Sequence, residues 1–488
     1  MVFGLVTLCA FVSGFALHWR TYANPTETEV VRGYGAPLRS AELADIRVPA
    51  ADAMLRWLNE RFVWVIGSRL IDAQSGDTMA GVSEADAIRI AGRVVLTPYP
   101  PLRSGERELG EGPTTELVRS YDHFYWLGKP PLPAYRVTFR SPRRVDVYVS
   151  QATGTVTAVI GWRAKLTDLL GEKVHFLKVG ALRTITTPRF VIMGALATVI
   201  LTGAISGLVY GVPLLFRRLS GVQRWASRLR SFHNIAGALV GLVIVMWGTT
   251  SYLMLWYPSM DPAPDEVTRV NGGVARAAVY RVSPGAAVAA VPRPVFALRT
   301  ARLLDRPVYV AIHEDGAATL IDGQSGSVIS PVSDSTVRAI VHRYLGRPAP
   351  IRQITSVTGY DEYWHAMRDG RGYSFDGNPR PLPVYRVDLA DGGEPSPIYI
   401  RADRGDVVGR VDAGYRAFRW LGSGIHDLDF PVLFGRRPRL WNIAILAPVL
   451  IGIFASATGV WLGMSYAVRT LSATLESSSW RKKPNTSL

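Results

Sequence analysis

Four apolar runs are the feature that most constrains this chain. Each is long enough to cross a bilayer, because a transmembrane helix needs about 20 predominantly apolar residues. The runs cover approximately Val2–Trp19, Phe190–Val212, Ile235–Trp256 and Leu440–Tyr466. The hydrophobic share of 48% over 488 residues is too high for a wholly soluble protein and too low for a bundle of helices alone. The sequence therefore predicts a few membrane spans that carry sizeable water-facing domains.

The first run is open to two interpretations, a signal peptide or a helix that stays in the protein. No basic residue precedes it, and no small-x-small cleavage site follows it. A basic segment before the apolar run and a small-x-small cleavage site after it are both hallmarks of secretory signals. We therefore expect an uncleaved helix.

Basic residues predict the orientation of the spans. The short loop between the second and third spans contains five arginines, and the tail contains a basic cluster. These residues are Arg217, Arg218, Arg224, Arg228 and Arg230, then Arg481, Lys482 and Lys483. The positive-inside rule places both segments in the cytoplasm. The two long segments then lie outside, which in a bacterium is the periplasm. Tryptophans at the span ends (Trp19, Trp256 and Trp441) are typical of an aromatic belt.

The two outer segments repeat each other. "LIDAQSG" at Leu70–Gly76 recurs as "LIDGQSG" at Leu320–Gly326, and "PLPAYRV" at Pro131–Val137 recurs as "PLPVYRV" at Pro381–Val387. Further residues match between the two segments, and they follow the same order along the chain in both. They are Tyr121-Asp122 with Tyr360-Asp361, and Tyr148 with Tyr399. A shared order of this kind indicates an internal duplication.

The spans take part in the same duplication. Gly4–Trp19 matches Gly241–Trp256 without a gap, and Leu201–Gly207 matches Ala457–Gly463. Each half is therefore a helix, an outer domain and a helix, and both halves run in the same direction. We expect a pseudo-twofold axis along the membrane normal, with a site between the halves.

The predicted fold is a membrane protein of the α+β class with four transmembrane helices in two parallel repeats. Each outer domain is expected to combine antiparallel strands, such as Arg144–Ser150 and Pro397–Ala402, with helices such as Ser83–Val94. The predicted division is helix one at 1–19, outer domain one at 20–185, helix two at 186–212, a basic cytoplasmic loop at 213–232, helix three at 233–257, outer domain two at 258–437, helix four at 438–466 and a cytoplasmic tail at 467–488.

The duplication sorts the eight histidines. His175 and His426 occupy matching places at the outer membrane face, whereas His233 opens the third span on the cytoplasmic side. The other five have no matching histidine: His18, His123, His313, His342 and His365. Two symmetry-related imidazoles are suitable axial ligands for one haem iron. The single cysteine, Cys9, excludes a C-x-x-C-H attachment, so such a haem would be b-type.

His233 raises the question of a second pair. In the gapless match its counterpart lies upstream of Met1. Either the protein lacks that ligand, or the given sequence begins too late. With the upstream histidine, a second haem on the cytoplasmic side would complete an electron path across the membrane.

Several motifs resemble those of the PepSY-associated transmembrane-helix proteins, the iron-regulated membrane proteins of bacteria. They are "YDEYW", "PLPVYRV", "YRAFRWLGSGIHDLDFPVLFGRRPRLWN" and "SATGVWLG", and the resemblance covers nearly the whole chain. The most specific part comprises Arg419, Trp420, Leu421, His426, Asp429 and Phe430. The resemblance implies PepSY-like outer domains, a bacterial inner-membrane location and a ferric-siderophore reductase with bis-histidine haem b. Its ligands would be His175 and His426, with His233 and a partner for a second haem. The missing upstream histidine departs from that pattern.

Three functions follow as hypotheses. The first is a haem oxidoreductase that takes electrons from a quinol or from a membrane or cytoplasmic reductase and passes them to a ferric siderophore or another ferric chelate. The second is a membrane-anchored PepSY binding or regulatory module without a redox cofactor. The third is a transporter, against which the scarcity of intramembrane charges argues, although a homodimer would supply more helices. The repeated Tyr-Asp pairs are interpreted as structural, and no nucleotide-binding or nucleic-acid motif is present.

Overall fold

The computed structural model describes the chain with short gaps. The described residues are 2–18, 24–49, 52–96, 112–126, 129–140, 144–183, 185–222, 227–255, 260–272, 279–366, 379–390, 396–430, 433 and 438–480. Trp19, Trp256, Arg224 and the basic tail cluster at 481–483 lie outside these residues, as do Arg436 and Arg437.

The helices are α1 (Val2–Leu17), α2 (Glu27–Tyr34), α3 (Glu84–Leu96), α4 (Trp162–Thr167), α5 (Thr186–Leu219), α6 (Arg228–Leu255), α7 (Pro264–Asn271), α8 (Pro284–Ala289), α9 (Asp334–Leu345), α10 (Ala413–Ala417) and α11 (Pro438–Trp480). Two π-helical segments follow α4 and α10: π1 (Asp168–His175) and π2 (Phe418–Gly424). Short 3₁₀ turns cover Ser40–Leu43 and Gly180–Arg183.

The strands are β1 (Met54–Leu58), β2 (Arg61–Ile66), β3 (Arg69–Asp72), β4 (Thr78–Met79), β5 (Thr114–Val118), β6 (Ala134–Phe139), β7 (Val145–Ser150), β8 (Val156–Gly161), β9 (Ala297–Leu303), β10 (Arg306–Ile312), β11 (Ala318–Asp322), β12 (Ile351–Val357), β13 (Val384–Leu389), β14 (Ile398–Arg401) and β15 (Val407–Arg410). Their pairings are antiparallel, as the alternating stretches predict.

The chain divides into two compact units. The helical unit contains Met1–Arg20, Leu166–Pro258 and Gly414–Leu488, and the outer unit contains Thr21–Lys165 and Ser259–Ala413. The chain enters the helical unit well before the predicted domain ends at 185 and 437, because π1 and π2 pack with the helices. The two expected outer domains are therefore parts of one unit.

In the part of the chain that the structure describes, three helices are long and apolar enough to cross a membrane: Thr186–Leu219, Arg228–Leu255 and Arg439–Thr474. Each extends beyond the apolar run that predicts it. The first helix, Val2–Leu17, is also apolar but shorter, at 16 residues. The described residues thus form an α+β fold whose long apolar helices are typical of a membrane protein.

Within the helical unit, α1 packs against α11 and α5 packs against α6, so each main helix pair joins one half to the other. The small apolar core contains Phe11, Val240 and Val449. Close approach uses glycines at matching places, since Val460 lies over Gly4 and Leu208 lies over Gly241.

A seven-stranded sheet joins the two repeats of the outer unit. Its strand order is β11-β10-β9-β1-β2-β3-β4. The seam is the antiparallel pair β1–β9, in which Leu55 faces Leu298, Met54 faces Arg299 and Arg56 faces Ala297. β1 and β9 are the first strands of their repeats. Equivalent strands of the two repeats therefore pair with each other at this seam.

Each repeat also has a four-stranded sheet, β5-β6-β7-β8 or β12-β13-β14-β15. A helix covers each sheet: Ile90 of α3 and Ile340 of α9 are wholly buried in the cores of their repeats. Ser83 caps α3 as predicted, since its hydroxyl accepts the backbone N–H of Asp86.

Candidate functional site

The two π-helical segments position the outer histidines. His175 is the last residue of π1, and His426 follows π2 closely. Both lie the same number of residues after the matched tyrosines Tyr148 and Tyr399. A π-helical turn is rare and is found mostly at functional sites, where it changes the direction of a side chain. Its occurrence at the same place in both halves marks these two histidines.

His175 is held by Ser13 of α1. The Oγ atom of Ser13 lies 2.9 Å from Nδ1 of His175, and the same hydroxyl lies 2.7 Å from the carbonyl oxygen of Cys9. A hydroxyl has one proton, and a carbonyl can only accept. When Ser13 donates to Cys9, its oxygen accepts from the Nδ1–H of His175. In this tautomer Nε2 has the lone pair that a metal would bind.

His426 is held in the same way by Thr250 of α6. The Oγ1 atom of Thr250 lies 2.9 Å from Nδ1 of His426 and 2.8 Å from the carbonyl oxygen of Met246. The gapless match of the first and third apolar runs aligns Ser13 with Thr250. Both hydroxyls are buried, at 1% and 6% exposed. The duplicated halves thus hold two imidazoles through the same kind of contact at Nδ1.

Electrostatics keeps His426 neutral. Burial, together with the charge that His175 carries when it is protonated, lowers the pKa of His426 to about 3. A neutral imidazole is the form that binds a metal.

His233 has the same tautomer in a different setting. Its Nδ1 lies 3.0 Å from the carbonyl oxygen of Ala455 and 3.2 Å from the hydroxyl of Thr458, both on α11. Since the carbonyl can only accept, Nδ1 has the proton and Nε2 has the lone pair. The ring lies against the backbone of Gly459, where an added Cβ would be 2.9 Å from Cε1.

The matching place in the first half holds a different ring. Gly203 aligns with Gly459 in the repeat, and the ring of Phe3 packs directly on Gly203. A phenyl ring cannot bind a metal. His233, which packs against Gly459, can therefore bind a metal. Phe3, which packs against Gly203 in the first half, cannot.

Two of the unmatched histidines have structural roles in the outer unit. In His313 both ring nitrogens are used, Nδ1 at 2.9 Å from the carbonyl oxygen of Pro294 and Nε2 at 2.9 Å from the hydroxyl of Thr319. In His342, Nε2 donates to the carbonyl of Ala349 at 3.2 Å.

The repeated Tyr-Asp pairs are structural corners, as the sequence indicates. The carboxylate of Asp122 accepts the backbone N–H groups of Phe124 and Tyr125 at 2.7 Å and the hydroxyl of Tyr148 at 2.8 Å. Asp361 makes the corresponding bonds, including one from the Tyr399 hydroxyl at 2.9 Å. These hydrogen bonds all stabilise the fold of the outer unit. They explain why the Tyr-Asp pair recurs in both repeats without a catalytic role.

Two imidazoles are a donor set that fits a haem iron. A haem iron needs only two axial ligands from the protein, because the porphyrin supplies four nitrogens. His175 and His426 are the residues that would hold it.

Sequence reasoning finds the histidines but misses the groups that hold them. The gapless match already aligns Ser13 with Thr250, and that alignment is the signal that could have found both hydroxyls. Trp247 and Trp441, which donate to the backbone beside His426, have no such signal.

The fold and the site define a membrane α+β protein with a duplicated, hydroxyl-held pair of histidines. No family model matches the chain, and a search of curated proteins finds no relative. The resemblance to the PepSY-associated transmembrane-helix proteins therefore rests on the motifs of the sequence.

Proposed function

We propose that this chain is a membrane haem-b oxidoreductase that passes electrons to a ferric chelate, in the manner of a ferric-siderophore reductase. The observation that carries the proposal is the duplicated hydrogen bond, Ser13 to His175 and Thr250 to His426. Fixing the non-ligating nitrogen of an imidazole is what proteins do around metal-binding histidines.

The residues of the chain have distinct roles in this proposal. Haem would supply one-electron chemistry at the iron. His175 and His426 would hold the iron, and the buried hydroxyls of Ser13 and Thr250 hold the two rings through Nδ1. His233, held by Ala455 and Thr458, supports a second haem towards the cytoplasmic side.

The substrate side follows from the chemistry of iron. Siderophores bind Fe(III) through hard oxygen donors, and one electron converts it to Fe(II), which such donors bind more weakly. The electron leaves the protein and arrives on the chelated iron, so release of iron needs no further co-reactant. We place this step at the periplasmic face of the bacterial inner membrane, where the positive-inside rule puts His175 and His426. The donor is a quinol or a membrane or cytoplasmic reductase.

A reoxidation experiment tests the proposal. Purified protein is reduced with dithionite under anaerobic conditions and mixed with ferric hydroxamate, ferric catecholate or ferric citrate in a stopped-flow spectrometer. We expect haem reoxidation at a rate that rises with chelate concentration, together with capture of Fe(II) by a ferrous chelator. Failure of every chelate to reoxidise the haem would contradict the substrate class. A protein without haem would instead favour the binding module.

A further inference from the structure

Two indoles hold the backbone beside His426, in addition to the contact of Thr250 with its ring. The indole Nε1–H of Trp247 donates to the carbonyl of His426 at 2.7 Å. The indole Nε1–H of Trp441 donates to the carbonyl of Asp427 at 2.9 Å. Two consecutive carbonyls therefore receive hydrogen bonds from two different helices, α6 and α11.

This arrangement gives His426 a two-point attachment to α6. Trp247 holds its backbone, and Thr250, one turn further along the helix, holds its ring. The Trp247 indole is itself fixed by an edge-to-face contact with Phe11 of α1, with ring centroids 5.9 Å apart. Arg419 adds a third backbone contact, from Nη2 to the carbonyl of Asp429 at 2.7 Å.

The first half has no indole at either matching position. The gapless match places Ala10 opposite Trp247, and extension of the match between the second and fourth spans places Ile185 opposite Trp441. Neither side chain can donate a hydrogen bond. The two halves thus differ at the two positions whose side chains donate hydrogen bonds to the backbone around His426.

We propose that Trp247 and Trp441 are positioning residues that fix the backbone around His426 and so set the orientation of the imidazole that would bind the haem iron. The inference rests on the proposed function. A ligand whose backbone is already fixed loses less freedom when it binds.

The test uses the full-length protein in detergent. The double variant Trp247→Phe, Trp441→Phe removes both N–H donors and retains aromatic rings of similar shape. Trp461→Phe is the matched control, because Trp461 lies on α11 with an exposed side chain. Two readouts are compared: hydrogen exchange of the amides of residues 425–429, and the ferric spectrum with the rate of haem transfer to apomyoglobin.

We expect the amides of residues 425–429 to exchange about 30-fold faster in the double variant, since it removes two hydrogen bonds that each contribute on the order of 1 kcal/mol. We also expect haem transfer about fivefold faster and a new high-spin fraction in the ferric spectrum, which added imidazole abolishes. Trp461→Phe should resemble the unmodified protein in both readouts.

Two results would overturn the inference. One is exchange in the double variant equal to that of Trp461→Phe, which would mean that the indoles do not hold the segment. The other is faster exchange with an unchanged spectrum and transfer rate, which would make the indoles structural only. If the purified protein contains no haem, the proposed function fails, and the exchange measurement still decides whether the indoles fix the segment.

Discussion

Thr250 Oγ1 lies 2.9 Å from Nδ1 of His426 and 2.8 Å from the carbonyl oxygen of Met246. One buried hydroxyl thereby engages Nδ1 of the ring, and Nε2 is the other nitrogen through which a metal could bind. Ser13 makes the same contact with His175. Because the two pairs match in the duplicated sequence, they are the features of the helical unit that a shared cofactor explains best.

Removal of the two hydroxyls should weaken haem binding. In Ser13→Ala, Thr250→Val the rings lose their partner at Nδ1, and loss of such a partner typically costs about tenfold in metal affinity. Titration of haem into the stripped protein measures the effect. Ser206→Ala is the control, because its hydroxyl donates to the Thr202 carbonyl on an exposed part of α5. Equal affinities in both variants would remove the hydroxyls from the site.

A methyl group at Gly459 should displace His233. The added Cβ of Gly459→Ala would lie 2.9 Å from Cε1 of the ring, which Ala455 and Thr458 hold in place. Such overpacking costs about 1–3 kcal/mol. Thermal unfolding in detergent should show the loss.

Gly207→Ala is the control for that substitution, since no atom lies within 4 Å of a Cβ at this position. It should be neutral, or stabilising by up to about 1 kcal/mol, because alanine is the better helix former. A Gly459→Ala protein as stable as Gly207→Ala would show that the ring has room to move.

Asp122 should be a major anchor of the outer unit. Asp122→Ala leaves two backbone N–H groups and the Tyr148 hydroxyl without their acceptor, and we expect a loss of about 3 kcal/mol in the free energy of unfolding. Chemical unfolding followed by near-ultraviolet circular dichroism measures it. Asp77→Ala, at an exposed turn, should change stability by less than about 0.5 kcal/mol. Similar values for the two variants would count against this role.

The contribution of Asp122 should depend on pH. Burial raises the pKa of this carboxyl, but hydrogen bonds from the backbone of Tyr125 and Phe124 and from Tyr148 outweigh burial, so the pKa is lowered below its ordinary value of 3.8. A lowered pKa stabilises the folded state above the ordinary value, and this stabilisation is lost as the pH falls through the lowered one. The cost of Asp122→Asn should therefore be full at pH 7 and shrink below about pH 4. A cost that is the same at pH 3 and pH 7 would show that ionisation does not matter.

The sequence predicts the duplicated α+β fold because the helices and strands depend on local sequence patterns. Apolar runs predict the long helices, alternation predicts strands such as β7, and Ser83 predicts the start of α3. The ligand-type histidines emerge from the repeat alone. Contacts between distant segments have no comparable local signal. Nothing in the neighbourhood of Leu55 indicates that it faces Leu298 across the seam of one shared sheet.

The limits of sequence reasoning at the site have the same origin. Ser and Thr are common in apolar helices. Ser13 can therefore be recognised as part of the site only when the structure shows the ring of His175 beside it. An indole at Trp247 or Trp441 is equally compatible with lipid contact, and its donation to a backbone carbonyl depends on the path of the chain after π2. A π-helical turn depends on such tertiary contacts as well, and helix periodicity does not reveal it.

The most direct test of the central claim is a reduced-minus-oxidised absorption spectrum of the purified protein with its haem stoichiometry. We predict b-type bands in the unmodified protein and in the control His342→Ala, whose ring belongs to the outer unit. In His175→Ala, His426→Ala these bands should be lost or shifted to those of a five-coordinate haem. An unmodified protein without b-type bands, or a double variant whose bands are unchanged, would contradict the assignment of His175 and His426 as axial ligands.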